Sequence, residues 1–207
     1  MGDLFPTTMR SRNHSEAKGT DVAHSQIILV GGGTRSGKSD FALALARRLG
    51  RRRLFVATAQ PGDAEMRARI RRHQQTRGPD FQTVEEPLAI SDVFRRVAEH
   101  DVVVLDCLTI WLANLLCAGT DPEAVSRQVD ELAEVLDHRL VHAVLVTSEV
   151  GLGLVPETPL GRTFRDVAGL AHQRLAGMAD EVYFGVLGVM LRLKPGPVVP
   201  AVGGVAL

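Results

Sequence analysis

Eight consecutive residues, Gly32 to Ser39, have the types and spacing that bind the phosphate chain of a nucleotide. They match the Walker A pattern, in which a glycine and four free positions are followed by Gly-Lys and then Ser or Thr. Glycines let the backbone curl so that successive N–H groups point at phosphate oxygens. We expect Lys38, a candidate catalytic residue, to reach the β- and γ-phosphates and the Ser39 hydroxyl to bind Mg²⁺. The candidate nucleotide-binding residues of this loop are Gly32, Gly33, Thr34, Arg35, Ser36, Gly37, Lys38 and Ser39.

The segments on either side of this loop support that interpretation. Residues 25–30 form a short apolar, β-branched run typical of a buried strand, and residues 40–49 carry apolar side chains at helical spacing. A strand, a glycine-rich loop and a helix in this order place the positive end of the helix beside the phosphates. The alternative is an ordinary glycine-rich turn that opens a helix, but it does not explain why strand, spacing and Lys-Ser all agree.

A carboxylate that could orient the metal ion stands at the end of another apolar strand, residues 101–106. In this position Asp106 matches a Walker B carboxylate, which holds Mg²⁺ or its water beside the Walker A hydroxyl. The alternative is that Asp106 caps a following helix, a position that aspartate also favours. The chain has neither an Asn-Lys-x-Asp motif nor an Asp-x-x-Gly after this strand, and a regulatory GTPase is therefore disfavoured.

A third kind of chemistry is offered by His73, which lies in a predicted basic helix over residues 63–75. A neutral imidazole can attack phosphorus and form a covalent intermediate, and neighbouring arginines can hold a triphosphate. From these residues alone, a solvated basic helix face is the preferred interpretation. His138 and His142 have the spacing of a metal pair, but no third ligand is evident and the helix is predicted to end between them. A metal site there is disfavoured.

The composition of the 207 residues indicates one globular domain, since 45% are hydrophobic and 23% are charged. The 24 basic and 24 acidic residues balance, which gives no support for a nucleic-acid partner. We find neither an apolar run of membrane-spanning length nor a secretory signal, and so expect a cytoplasmic protein with Cys107 and Cys117 as reduced thiols. The expected organisation is a flexible extension over residues 1–25, a domain over 26–194 and a Pro/Gly-rich tail over 195–207.

Strand-like and helix-like segments alternate along the domain. Helices are predicted over 40–49, 63–75, 88–99, 108–116, 122–139 and 160–178, and strands over 25–30, 53–58, 81–85, 101–106, 143–147 and 181–186. This alternation, with the phosphate loop, predicts an α/β, P-loop NTPase-type three-layer fold with a mostly parallel sheet, helices on both faces and an antiparallel edge strand at 189–194. The phosphate loop, Thr58, Asp106 and Ser148-Glu149 are then expected on one rim, at the carboxyl ends of the strands.

Several further motifs, taken in order, resemble one enzyme family. They are Ala-Thr-Ala at 57–59, Glu-Met-Arg-Ala-Arg-Ile at 65–70 followed by His73, Thr-Ser-Glu-Val-Gly-Leu-Gly-Leu-Val-Pro at 147–156, and Phe-Arg-Asp-Val-Ala-Gly at 164–169 with Gln-Arg-Leu at 173–175. Over about residues 27–194 the chain is similar to the bifunctional adenosylcobinamide kinase/adenosylcobinamide-phosphate guanylyltransferases of cobalamin synthesis. The last two motifs are far more specific than the phosphate loop, which many families share.

This resemblance implies two reactions. In the first, the aminopropanol hydroxyl of adenosylcobinamide is phosphorylated with ATP or GTP and Mg²⁺. In the second, GMP passes from GTP to adenosylcobinamide phosphate, giving adenosylcobinamide-GDP and pyrophosphate. The family carries the GMP on a histidine in the helix after the second strand, and His73 is the matching residue here. The resemblance therefore makes His73 a candidate catalytic residue instead of a solvated surface position, and it also implies a homotrimer.

The family's nucleotide contacts carry over to the phosphate loop and to Ala57, Thr58, Ala59, Gln74, Gln75, Thr76, Arg77, Glu85 and Asp106. Ser39 and Asp106 are the expected metal ligands. Asp106 stands where some members have glutamate, which keeps the carboxylate but shortens its reach by one methylene.

Two other functions are compatible with the residues. One is a P-loop kinase of another small alcohol, with His73 on the surface; the other is a nucleotide-binding regulatory module without transfer chemistry.

Overall fold

The central strands of the protein are short, apolar and buried, as their sequences predict. The computed structural model describes residues 25–62, 64–197 and 199–200. Its strands are β1 (Ile27–Gly32), β2 (Arg53–Ala57), β3 (Gln82–Glu85), β4 (Val102–Asp106), β5 (His142–Val146), β6 (Glu181–Val186), β7 (Val189–Lys194) and β8 (Val199–Pro200). The near-continuous apolar sequences of β1, β4 and β5 suit strands that are covered on both faces.

These strands form one mixed sheet in the order β3-β2-β4-β5-β1-β6-β7-β8. Every pairing from β3 to β6 is parallel, whereas β7 and β8 are antiparallel. This arrangement confirms the predicted fold class, and β7 occupies the residues predicted for the antiparallel strand. The outermost described strand is β8, which lies in the segment predicted as a tail and pairs with Leu191 and Arg192 of β7.

Six helices cover the sheet in the described part of the chain: α1 (Lys38–Leu49), α2 (Ala64–Arg77), α3 (Ile90–Phe94), α4 (Leu108–Cys117), α5 (Pro122–Asp137) and α6 (Pro159–Met178). As predicted, α5 begins with Pro122 in its first turn, and the Asp121 carboxylate accepts a hydrogen bond from the Glu123 N–H. Thr158 caps α6 in a similar way, by accepting from the Gly161 N–H. None of the described helices combines the length and apolar character that crossing a membrane requires.

Side chains of β1 alternate between two hydrophobic cores, one on each face of the sheet. Ile27 and Leu29 pack in the larger core with side chains of α3, α4, α5 and α6. Ile28 and Val30 pack in the smaller core with side chains of α1. Trp111, on α4, is 1% exposed and belongs to the larger core. Helices therefore hold the sheet from both sides, and the carboxyl ends of its strands form a firmly supported rim.

The described helices depart from their predicted bounds by one or two residues at an end, except α3, which is much shorter than predicted. The helix predicted over 88–99 was wrong in length, because α3 ends after five residues. The chain then tightens into turns such as the one closed by the hydrogen bond from the Arg96 N–H to the Val93 carbonyl, three residues back. By contrast, α2 continues to Arg77 and ends at Gly78, whose φ of 71° is the left-handed conformation that glycine adopts easily at a helix end.

Candidate nucleotide-binding site

The phosphate loop leaves β1 at Gly32 and enters α1 at Lys38. Gly32 and Gly37 have positive φ values of 147° and 84°, a region that glycine adopts without strain. A Cβ atom at Gly32 would lie 2.7 Å from the Gly185 carbonyl oxygen and 2.8 Å from Ser36 Oγ, so a larger residue does not fit there. The loop is folded tightly back against β6, and a glycine at position 32 is needed for that contact.

Two polar side chains of the loop are buried with it. Lys38 is 7% exposed, and its ammonium group donates to the carbonyl oxygen of Gly33 at 3.0 Å. Ser36 is also 7% exposed, and its hydroxyl oxygen has no hydrogen-bond partner in the described part of the chain. A buried hydroxyl left in that state costs free energy, and a phosphate oxygen in the loop would satisfy it. The loop therefore fits the phosphate chain that its sequence predicts.

Two adjoining cavities lie at the carboxyl ends of the strands. The loop cavity, of about 410 Å³, includes the phosphate loop, and the α2 cavity, of about 60 Å³, is bounded by β2, β3, β4 and α2. Both are lined by Lys38, Ser39, Phe55 and Asp106. The loop cavity is further lined by Thr34, Arg35, Ser36, Gly37, Arg72 and Thr76. The α2 cavity is further lined by Ala57, Ala59, Gln74, Arg77, Glu85 and Ser148.

Asp106, the last residue of β4, lines the same cavities as Ser39. Its alternative role as a helix cap is not observed, because the N-cap of α4 is Cys107. A hydroxyl and a carboxylate are hard oxygen ligands of the kind that Mg²⁺ takes, with phosphate oxygens and water in its other positions. No cluster of three or more His, Cys, Asp or Glu among the described residues could hold an ion alone. Ser39 and Asp106 therefore fit an ion that is shared with a nucleotide.

Thr58 lies behind the cavities. Its side chain is fully buried, and its hydroxyl accepts from the N–H of Cys107 at 2.8 Å and donates to the carbonyl oxygen of that residue at 2.9 Å. The Thr58 N–H also donates to the carbonyl oxygen of Asp106 at 3.2 Å. Thr58 thereby joins the ends of β2 and β4, while its neighbours Ala57 and Ala59 line the α2 cavity. Its predicted contact with a nucleotide stays a prediction.

Arg77 places a buried cation in the α2 cavity. It is 5% exposed, and its guanidinium carbon lies 4.0 Å from the centre of the Phe55 ring. Burial lowers the pKa of Arg77 below its ordinary value, while the negative charges of Asp106 and Glu85 act in the opposite direction. An arginine with so high an ordinary pKa stays protonated in these surroundings. The cavity therefore offers a guanidinium that can pair with a phosphate.

The other predicted residues of α2 and β3 are divided between the cavities and solvent. Gln74 and Glu85 line the α2 cavity, and Thr76 lines the loop cavity. Gln75 is exposed to solvent. His73 lies within α2, but its side chain is outside the described part of the structure. The role of His73 therefore stays a prediction, supported by its place in the helix that borders both cavities.

A chain of buried polar side chains lies behind the end of β5. Ser148 and Glu149 are expected at this rim from the sequence, whereas Thr109, Thr147 and His172 are not. The Thr147 hydroxyl lies 2.6 Å from His172 Nε2 and 2.9 Å from Thr109 Oγ1. His172 Nδ1 lies 3.5 Å from the Glu149 carboxylate; burial lowers the pKa of His172, and Glu149 acts in the opposite direction. Only the tertiary packing of α6 on β5 brings the histidine here, so no local pattern in the sequence could reveal it.

His138 and His142 serve two separate elements. His138 is the C-cap of α5, and His142 begins β5, where its Nδ1 atom accepts a hydrogen bond from the Gln26 N–H at 3.0 Å. Burial lowers the pKa of His142, although the charge of Asp101 opposes the effect. The neutral imidazole therefore serves as a backbone acceptor at the start of β5.

Comparison with known proteins points to one family. A family model described as cobinamide kinase / cobinamide phosphate guanyltransferase matches residues 28–193. The bifunctional adenosylcobalamin biosynthesis protein CobP of Pseudomonas aeruginosa is 41% identical over 170 residues, covering 82% of this chain and 98% of the relative. The bifunctional CobU proteins of Salmonella typhimurium and Escherichia coli are 40% and 38% identical, each match covering 81% of this chain and 99% of the relative. These matches confirm the resemblance that the motifs indicate.

Proposed function

This chain belongs to the cobinamide kinase / cobinamide phosphate guanyltransferase family, and from that membership we propose that it catalyses both reactions in cobalamin synthesis. It phosphorylates adenosylcobinamide with ATP or GTP, and then transfers GMP from GTP to the product through a covalent bond to His73. The products of the second step are adenosylcobinamide-GDP and pyrophosphate. The observation that carries the proposal is the phosphate loop, where Lys38 and the orphaned hydroxyl of Ser36 are buried beside a cavity that Asp106 also lines.

In the kinase reaction, the loop supplies the positioning and charge neutralisation on which phosphoryl transfer depends. The acceptor hydroxyl attacks the γ-phosphorus and loses its proton to solvent, while the bond to the β–γ bridging oxygen breaks and the nucleoside diphosphate leaves. Lys38 neutralises the negative charge that grows on the β- and γ-phosphate oxygens. Ser39 and Asp106 would hold Mg²⁺, which would supply further charge neutralisation during the transfer.

In the guanylyl reaction, we assign His73 as the nucleophile. An imidazole nitrogen attacks the α-phosphorus of GTP, the bond to the α–β bridging oxygen breaks, and pyrophosphate leaves; an oxygen of adenosylcobinamide phosphate then displaces the imidazole. Ile70 precedes position 73 by three residues and Arg77 follows it by four, and both line the α2 cavity. Positions one turn apart are neighbours on a helix, and on that ground we assign to Arg77 the stabilisation of charge at this step.

The two cavities divide the nucleotide between them in this proposal. The phosphate chain lies in the loop cavity, with its γ-phosphoryl group beside Lys38, Ser39 and Asp106, which line both cavities. One edge of the nucleoside meets the α2 cavity at Gln74 and Glu85, which offer an amide and a carboxylate. These groups can pair with the ring and exocyclic nitrogens of a guanine. The remaining positions matched from the family, Ala57 to Ala59, Gln75 and Thr76, complete the proposed contact surface.

The assembly that we propose is a homotrimer, as the family resemblance implies. Large apolar side chains are exposed on the β6–β7 hairpin, including Leu187 at 97% and Val189 at 50%, and burial between subunits would remove them from water. Light scattering should then give three times the chain mass of 22.4 kDa. We further propose that residues 26–194 suffice for catalysis, so that a chain limited to these residues keeps both activities.

The test of the proposed function is mass spectrometry of the protein after incubation with GTP and Mg²⁺. We expect one added GMP per chain, labile to acid and located in the peptide that contains His73. Adding adenosylcobinamide phosphate should discharge the adduct and yield adenosylcobinamide-GDP. A protein that phosphorylates a small alcohol but forms no adduct would be a plain P-loop kinase. One that binds GTP and consumes none would be a regulatory module.

A further inference from the structure

The polar chain behind β5 ends at Ser148, a residue that the proposed reactions do not use. In the sheet, β5 lies between β4 and β1, so the residues after β5 emerge between Asp106 and the phosphate loop. Ser148 lines the α2 cavity together with Lys38, Ser39 and Asp106. It therefore stands among the groups proposed to hold a phosphate chain and its metal ion.

The backbone of Ser148 is held by one side chain of α4. The hydroxyl of Thr109 accepts from the Ser148 N–H at 2.6 Å and lies 3.2 Å from the carbonyl oxygen of the same residue. The next residue, Glu149, donates its N–H to the carbonyl oxygen of Gly32 at 3.0 Å, which fastens the segment to the phosphate loop. These bonds hold the backbone of Ser148 in place, and its hydroxyl makes no hydrogen bond within the described part of the chain. That hydroxyl can therefore bond a group in the cavity that Ser148 lines.

Behind Thr109, the chain continues to His172. The Glu149 carboxylate lies 3.5 Å from His172 Nδ1 and favours a proton on that nitrogen. Nε2 then accepts from the Thr147 hydroxyl at 2.6 Å, and the Thr147 oxygen accepts in turn from Thr109 at 2.9 Å. The Thr109 oxygen also accepts from the Ser148 N–H, and its proton lies within reach of the Ser148 carbonyl oxygen at 3.2 Å. The chain therefore connects a histidine on α6 to the backbone of Ser148.

We propose that Ser148 is a further catalytic residue of the kinase reaction, whose hydroxyl donates a hydrogen bond to an oxygen of the γ-phosphoryl group during transfer. Thr109 and His172 are positioning residues that hold Ser148 in place. The inference rests on the proposed function, because the phosphoryl donor is the triphosphate in the loop. A donor fixed in advance is most effective where negative charge grows during the reaction. The guanylyl reaction takes place at the α-phosphorus and does not use this donor.

The test measures kcat and KM for phosphorylation of adenosylcobinamide by ATP. In Ser148→Ala, kcat should fall roughly 100-fold, the loss typical of one fixed hydrogen-bond donor to a developing negative charge. The KM for ATP should change little, and the GMP adduct formed with GTP should remain. Thr109→Val keeps the shape of threonine without its hydroxyl and should lower kcat as well, whereas Thr109→Ser should restore most of it.

The matched control is Ser126→Ala, which removes a hydroxyl bonded to the Pro122 carbonyl within α5 and should keep wild-type kcat. Wild-type kcat in Ser148→Ala overturns the assignment of that residue. Normal turnover in folded Thr109→Val, whatever its melting temperature, overturns the positioning role of Thr109. If the wild-type protein itself neither phosphorylates adenosylcobinamide nor forms a GMP adduct, the proposed function fails, and the role of Ser148 fails with it.

Discussion

The phosphate loop and α2 border the same cavities, yet the fold holds them in different ways. The loop continues directly from β1 into α1, is backed by Gly185 of β6, and buries the side chains of Ser36 and Lys38. Of the described side chains of α2, by contrast, only Arg77 is buried, and it is stacked on Phe55. One half of the site is therefore part of the central sheet, whereas the other half is a mostly solvated helix anchored near its carboxyl end.

This difference indicates a division of roles. Both proposed reactions need the triphosphate held in one geometry, which the loop provides through fixed backbone and buried polar groups. Only the guanylyl reaction needs a nucleophile on α2. Substitutions in the loop should therefore remove both activities, whereas substitutions in α2 should separate them.

The largest effect is expected for Lys38→Ala. Loss of a cation that faces the β- and γ-phosphates should reduce both kinase turnover and adduct formation by about 1,000-fold or more. The fold should remain, because Lys38 lies in the loop at the rim of the sheet and belongs to neither of the two hydrophobic cores. Steady-state kinetics and far-ultraviolet circular dichroism measure the two outcomes. Near-normal turnover of either reaction in this variant would show that the loop does not serve that reaction.

The next effect is the separation of activities in His73→Ala. This variant should form no GMP adduct and no adenosylcobinamide-GDP, because the proposed nucleophile is absent. It should keep appreciable kinase activity and accumulate adenosylcobinamide phosphate, since that reaction uses the loop, the metal ligands and the acceptor hydroxyl. Chromatography of the corrinoid products with mass spectrometry of the protein measures both. An adduct that persists, or that maps to a lysine in the wild type, would identify another nucleophile.

A smaller effect is expected for Arg77→Gln. The substitution removes the buried cation beside Asp106 and Glu85. It should lower kcat/KM for GTP in the guanylyl reaction by about 10- to 100-fold, or ~1.4–2.8 kcal/mol. The exposed Arg127→Gln on α5 removes the same charge far from the cavities and should leave kcat/KM unchanged. Equal losses in both variants would mean that net charge, and not the anchored guanidinium, accounts for the effect.

The smallest effect concerns stability at the rim beside the loop. Burial lowers the pKa of His172 below its ordinary value of 6.5, so the unfolded chain binds more protons as the pH falls through that value. Folding stability should therefore decrease on acidification. In His172→Gln the fall in melting temperature between pH 7.5 and 5.5 should be smaller by on the order of a few degrees. His142 is present in both the wild type and the variant, so its titration cancels in the comparison. Identical falls in melting temperature for the two proteins would show that His172 does not titrate on unfolding.

The two halves also differ in how much of them could be predicted from sequence. The phosphate loop is contiguous, with its strand before it and its helix after it, so one local pattern predicted its strand-loop-helix structure, which is confirmed, and its ligand, which stays a prediction. Asp106 could be found because a carboxylate at the end of an apolar strand is also a local signal. In α2, the residues alone favoured a solvated basic face, and only the family motifs singled out His73.

What could not be predicted depends on contacts between distant segments. The stacking of Arg77 on Phe55 and the hydrogen bonds from Thr109 to His172 join residues that no sequence period relates. The short α3 has a similar cause, because the predicted helical pattern gave no sign of the tightening turns that follow it. Likewise, β8 follows prolines typical of a tail, yet it pairs with β7. Local propensity is a weak guide wherever tertiary contacts decide the conformation.

The position of β1 between β5 and β6 bears on when the site can form during protein synthesis. The ribosome releases the phosphate loop early, but Val30 pairs with Val146 and Tyr183, and the wall behind Gly32 is Gly185. These partners come far later in the chain than β1, and such distant pairings form slowly. A nascent chain therefore has the nucleotide-binding sequence long before it has a nucleotide-binding site. An incomplete copy that lacks β6 lacks the wall against which the loop folds.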